Sequence, residues 1–133
     1  MRRVFLWASL TLSAIVVVGI VVQLYLIAAW VFGATGALDA HKNVGGIVVH
    51  PAEVLTFLVA FGAWWRSWRN IGLSFALALV GTIQVFFAGD VDNPKHGYVH
   101  GLHGGLALVV AAIAVYVARR EARTLGLLAP RAA

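Results

Sequence analysis

Long apolar runs, each interrupted by only a few polar residues, dominate the chain. An α-helix needs about 20 residues to cross the hydrocarbon core of a bilayer, and four runs approach or exceed that length. They predict spanning helices over about residues 4–32, 48–66, 71–88 and 98–120. Short polar loops between them favour antiparallel neighbours. The pattern therefore predicts an all-α, antiparallel, four-helix transmembrane bundle over residues 1–121, followed by a short cytoplasmic tail over residues 122–133.

Composition agrees with a membrane protein that has no separate soluble domain. Of the 133 residues, 62% are hydrophobic and 11% are charged, whereas soluble domains carry about a quarter charged residues. The absence of cysteine excludes disulfides and thiolate metal sites. The first apolar run, from Val4 to Val31, is too long for a cleaved signal peptide, so we interpret it as the first span.

The formal net charge of +5 does not form one patch that would suit nucleic acid. Arginines fall in the N-terminus, the middle loop and the C-terminal region, while the other two loops hold only Lys42 and Lys95. Short cytoplasmic loops collect Lys and Arg. The distribution therefore predicts a multi-pass protein of the cell membrane with both termini in the cytoplasm.

The start of the second span depends on Pro51. This proline fits the first turn of a helix that begins near residue 48, or it lies within a longer helix that begins near Asp39. In a continuous α-helix, His41 and His50 would point to opposite faces.

The two halves of the chain share a pattern that predicts two repeated hairpins. Gln23 and Gln84 each lie near the end of an odd-numbered span. In the even-numbered spans, His50 precedes Arg66 by the same number of residues as His103 precedes Arg119. That spacing covers about 24 Å of helix. Two helices anchored at one face by their arginines would hold both imidazoles at the same depth, so the repeat predicts that His50 faces His103.

The fourth span begins with a histidine stripe. His96, His100 and His103 follow steps of four and three. Gly97, Gly101 and Gly105 follow at intervals of four, and Gly104 lies beside them. Glycines at such spacing are typical of close helix packing. Beside histidines, the same glycines would also leave a slot for a flat cofactor. Both interpretations stay open.

Glu53 is the one acidic residue inside the predicted spans, and it lies one turn after His50. A carboxylate at membrane depth needs a partner or a proton. It could orient an imidazole, ligate a metal or pair with a histidine of the fourth span.

These features resemble the small four-helix membrane b-type cytochromes, in which histidine pairs hold haems between helices. The chain is also similar to a family of short bacterial four-span membrane proteins with a glutamine at the ends of spans one and three. The resemblance is carried by the entry to span four, Leu102-His103, and by the entry to span two, His41-Lys42-Asn43-Val44-Gly45. It implies a haem b with two imidazole ligands. Di-haem members carry ligands near both membrane faces, and the inner halves of these spans lack histidine. The resemblance therefore implies one haem, or two at the outer side.

Two histidine pairs are candidates for the axial ligands. The depth argument favours His50 with His103, which we rank first. The resemblance favours His41 in place of His50, and His41 with His100 ranks second. Two imidazoles fill both axial positions of an iron, which is typical of an electron carrier.

The expected function is therefore single-electron transfer through a bis-histidine haem near the outer face. A quinone or a redox partner protein would exchange electrons with it. Gln23 and Gln84 could hydrogen-bond a propionate, a quinone or each other.

A bare metal ion is the alternative. His50, Glu53, His100 and His103 would supply nitrogen and oxygen ligands that suit zinc, copper or iron. With an open coordination position, such a site could hydrolyse a substrate or transfer metal. A third interpretation is a non-catalytic membrane subunit, as a homodimer or within a larger complex.

Overall fold

The computed structural model describes residues 1–89 and 97–129, which are helical without any strand. His96 lies outside the described residues. The helices are α1 (Arg2–Val31), α2 (Ala37–Val44), α3 (His50–Ala63), α4 (Trp68–Phe86) and α5 (Gly97–Thr124). A π-helical turn over Gly45–Val49 joins α2 to α3 without a break.

Within the described residues, four helical stretches are long and apolar enough to cross a membrane. They are Arg2–Val31, Ala37–Ala63, Trp68–Phe86 and Gly97–Thr124. The prediction of four membrane-spanning helices is confirmed at this level. The last helix continues past its predicted end at residue 120, so the first residues of the predicted tail are helical.

The second span is the longer of the two alternatives, because helix runs continuously from Ala37 through Pro51. Proline has no N–H and cannot bond the carbonyl one turn earlier. The π turn directly precedes His50 and Pro51, where the regular series of backbone hydrogen bonds is interrupted. A π turn contains more residues than an α turn, so it also alters the rotation between His41 and His50.

Small buried residues bring the helices close together. α1 contacts α2, α3 and α5, while α4 contacts α3 and α5. Lipid tails are as apolar as the side chains, so close packing between helices matters more than burial from water. The central cluster accordingly mixes larger aliphatic side chains with alanine: Val16, Ile20, Val49, Ala52, Leu77, Ala107, Val110 and Ala114.

Side-chain contacts define two ends of the structure. At one end, which we call the histidine end, His41 bonds to Gln23 and His103 bonds to Gln84. At the other, which we call the arginine end, the Arg2 Nε donates to the Ala63 carbonyl over 3.1 Å. The Cζ atoms of Arg2 and Arg120 lie 5.7 and 4.7 Å from the centre of the Trp64 ring.

Candidate functional site

Two histidines at the histidine end make the same hydrogen bond to a neighbouring helix. His41 Nδ1 lies 3.2 Å from the carbonyl oxygen of Gln23, and His103 Nδ1 lies 2.8 Å from the carbonyl oxygen of Gln84. A carbonyl oxygen only accepts, so Nδ1 carries the hydrogen in both rings. In the neutral imidazole, Nε2 then keeps its lone pair and is the nitrogen that can bind a metal.

The two imidazoles lie next to each other. Their ring centres are 6.2 Å apart and their planes are inclined by 70°. Metal–imidazole bonds are about 2.0 Å long, so two rings on opposite sides of one ion have centres roughly 6 Å apart. The spacing of His41 and His103 falls in that range, which is also the range of an edge-to-face contact between two rings.

The structure therefore combines one histidine from each predicted pair. His103 was expected opposite His50, and His41 opposite His100. Instead, His41 and His103 form the neighbouring rings. The π turn lies between His41 and His50, which is the part of the second span whose geometry the sequence pattern did not resolve.

His50 has a different partner. Its Nδ1 lies 3.1 Å from Glu53 Oε2, and the exposed fractions of the two side chains are 27% and 3%. The carboxyl group of Glu53 fills the space that a Cβ at Gly81 would occupy. Of the roles predicted for Glu53, its position supports orienting the imidazole of His50.

The two glutamines contribute to the site through their backbones. The carbonyls of Gln23 and Gln84 fix the imidazoles, whereas the sequence suggested a role for their side chains. The Gln23 side chain is buried at 9% exposure, and no described residue bonds its Oε1. Its Nε2 lies against Gly45, where no Cβ would fit.

The glycines beside His103 face open space. A Cβ at Gly101 or Gly104 would meet no atom within 4 Å, so no described helix of this chain packs against them. His100 lies nearby, and its buried Nε2 has no hydrogen-bond partner among the described residues. Both glycines lie on the exposed outside of α5, on faces other than that of His103, so their open space does not decide between the two interpretations.

The predicted metal-ligand set is not assembled. Among residues 1–89 and 97–129, no three His, Cys, Asp or Glu side chains lie close enough together to hold a metal ion. His50 and Glu53 do lie together, but His103 bonds a backbone carbonyl and faces His41.

A second buried carboxyl group was missed by the sequence analysis. Glu121 has 0% exposure and accepts a hydrogen bond from the Ser9 hydroxyl. The prediction that Glu53 is the one acidic residue within the spans is therefore wrong, because α5 extends to Thr124 and the second span begins before Asp39. Ser9 and Ser13 lie one turn apart on α1, and this spacing could have indicated a buried polar partner.

No protein-family model, curated protein or solved structure matches the chain.

Proposed function

We propose that the protein is a membrane b-type haem protein that carries single electrons, with His41 and His103 as the axial ligands. One observation carries this proposal: two imidazoles lie 6.2 Å apart, and each has its Nδ1 bonded to a backbone carbonyl. The arrangement presents two ligand nitrogens of the same tautomer from two helices.

The residues around the pair suit a haem better than a bare ion. A haem needs only two ligands from the protein, because its macrocycle supplies the other four. A divalent ion without a macrocycle would need further ligands, and a set of three is not assembled in the described part of the chain.

The chain's own groups would tune such a haem. Hydrogen bonds from Nδ1 to the carbonyls of Gln23 and Gln84 make the opposite ring nitrogens more basic and hold the ring orientation. A haem with both axial positions filled would accept and release one electron without an open position for oxygen. A quinone or a redox protein is the proposed electron partner.

The proposed membrane arrangement is an antiparallel four-helix bundle of two repeated hairpins in the cell membrane. Arginines concentrate at the arginine end, which supports placing that end and both termini at the cytoplasmic face. The haem would then lie near the outer face. The similarity of the two carbonyl–histidine bonds supports a repeat whose axis runs along the membrane normal.

Visible absorption of detergent-purified protein tests this function. Protein from haem-supplied cells should show a Soret band and the sharp reduced bands of bis-histidine haem. His41→Ala and His103→Ala should each lose that spectrum, and the matched variants His50→Ala and His100→Ala should keep it.

The contrary outcomes are equally specific. A colourless wild-type protein would exclude the haem proposal, and stoichiometric zinc or copper in that protein would favour the metal alternative. Loss of haem in His50→Ala with retention in His41→Ala would instead favour the pair His50 and His103.

A further inference from the structure

The interior of the described structure holds two buried carboxyl groups and several buried hydroxyl side chains. Glu53 and Glu121 have 2% and 0% exposure, and Ser9, Ser13 and Thr56 have 0%. Such burial is costly in a membrane protein unless each polar group has a partner or a function. Together with His50, these side chains form what we call the polar column.

A contact between α1 and the second span gives the relative heights of the side chains in the polar column. A Cβ at Gly19 would meet Val49 at 2.5 Å, so these residues lie at one height. Glu53 lies one turn beyond Val49, about 6 Å nearer the arginine end. Counted back from Gly19, Ser13 and Ser9 lie about 9 and 15 Å nearer that end. Both serines therefore lie beyond Glu53, on the side of the arginine end.

The lower part of the column has unused hydrogen-bonding capacity. Ser9 donates to Glu121 Oε1. Glu121 Oε2 and Ser13 Oγ are buried, and neither has a hydrogen-bond partner within residues 1–89 and 97–129. Ser13 and Trp64 also lie beside this carboxyl group. Buried polar atoms of this kind are commonly satisfied by internal water. Glu121 Oε2 and Ser13 Oγ therefore have hydrogen-bonding capacity left for an internal water molecule.

The surroundings of Glu121 favour protons over metal cations. The Trp64 indole can donate a hydrogen bond but cannot accept one. Arg120, next to Glu121 on α5, and Arg2 on α1 both lie over the Trp64 ring. This positive charge opposes a cation at Glu121, whereas a neutral carboxyl group and water suffer no such repulsion.

The upper part of the column ends at an imidazole. Thr56 lies one turn beyond Glu53 toward the arginine end, and its hydroxyl donates to the Ala52 carbonyl over 2.7 Å. Its oxygen can still accept a hydrogen bond. Glu53 then contacts His50 Nδ1 over 3.1 Å. No charged residue of α4 stands at this point, because the carboxyl group lies against Gly81.

We propose that the polar column carries protons between the arginine end and His50. A proton leaves the carboxyl group of Glu121, passes through Ser9, Ser13, Thr56 and bridging water, and reaches the carboxylate of Glu53, which exchanges it with His50. The step moves one proton and no electrons. Its coupling to electron transfer rests on the proposed haem function, but the path itself does not.

Infrared hydrogen–deuterium exchange of the whole chain tests the path. In a His50→Gln background, the glutamine amide can still donate an N–H to Glu53, but no imidazole is present to relay protons. The carbonyl band of protonated Glu53, assigned by its loss in Glu53→Gln, should shift promptly in D₂O. Adding Ser13→Ala or Glu121→Gln should slow that shift about a hundredfold, the lower range for removal of a positioned proton-transfer group.

Ser74→Ala is the matched control, because this buried serine bonds the Asn70 carbonyl of its own helix over 3.3 Å. Its exchange should equal that of the background. Unchanged exchange in both Ser13→Ala and Glu121→Gln would overturn the path, as would the absence of a protonated Glu53 band near neutral pH. If Glu121→Gln fails to fold, Ser13→Ala alone decides. Visible absorption reports haem separately, so a failure of the haem proposal would remain distinguishable.

Discussion

In both halves of the chain a histidine bonds to a glutamine carbonyl, but the helix beyond that histidine differs between them. In the first half, His41 bonds to the Gln23 carbonyl, and a π turn and the His50–Glu53 contact come next. In the second half, His103 bonds to the Gln84 carbonyl, and α5 continues as a regular helix to Thr124. The feature shared by the two halves thus accounts for the pair of imidazoles. The difference between the halves adds a buried carboxyl group, Glu53, on the side of the pair that faces the arginine end.

This difference separates the requirements of the two proposals. Holding a haem needs the shared feature, one imidazole from each half with its tautomer fixed. Moving protons needs the unshared features, because Glu53 and Glu121 lie at different heights and come from different halves. Variants that change a shared feature should therefore affect haem binding, and variants that change an unshared feature should affect proton transfer.

Deleting Ile47 should have the largest effect, because it makes the first half resemble the regular second half. This residue lies in the π turn and its side chain is 71% exposed, so its removal takes away little packing. Shortening the turn rotates and shifts α2 relative to α3. His41 should then leave both Gln23 and His103, and haem content should fall below about a tenth of wild type, a loss of over 1.4 kcal/mol in binding.

Haem content per protein, from the absorption spectrum of purified samples, measures this effect. Ile47→Ala keeps the length of the turn and is the matched control, with wild-type haem content expected. Full haem content in the deletion variant would show that the π turn does not position His41.

Gly81→Val should have the next largest effect, on the stability of the fold. A Cβ at Gly81 would overlap the buried carboxyl group of Glu53, and overpacking of this kind costs about 3 kcal/mol. Gly72→Val is the matched control on the same helix, since its Cβ would meet no described atom within 4 Å. Unfolding in a denaturing detergent, followed by circular dichroism, should separate the two variants. Equal stability would contradict the contact between Glu53 and α4.

The apolar runs were sufficient to predict the four helices, because a length of about 20 apolar residues is a strong signal. The histidine pairing was not predictable in the same way. Whether His41 or His50 meets His103 depends on rotation through the π turn, and apolar periodicity carries no information about it. Glu121 was missed for another reason: it comes directly after Arg119 and Arg120, and such charged runs usually mark the end of a membrane helix.

Replacing Glu53 should have a smaller effect on stability that depends on the substitute. Glu53→Gln keeps an acceptor for His50 Nδ1 and should cost under about 1 kcal/mol. Glu53→Leu removes that acceptor and should cost about 1–3 kcal/mol for an imidazole left without its partner. The same detergent unfolding measures both variants. If the leucine variant is as stable as wild type, then the His50–Glu53 contact has no structural role in the first half.

The smallest effect is expected at the arginine end, where each half supplies one cation to the same ring. Arg120 Cζ lies closer to the Trp64 ring centre than Arg2 Cζ does, at 4.7 against 5.7 Å, and Arg2 also donates to the Ala63 carbonyl. Arg120→Met keeps most of the apolar stem and should cost about 0.5–1 kcal/mol for the lost cation–π contact. That loss should vanish when Trp64 is already Leu, since a double-mutant cycle isolates the pair. A loss of equal size in both backgrounds would show that Arg120 does not stabilise the protein through the Trp64 ring. Its stabilising contact would then be with the neighbouring Glu121, where the arginine end meets the polar column.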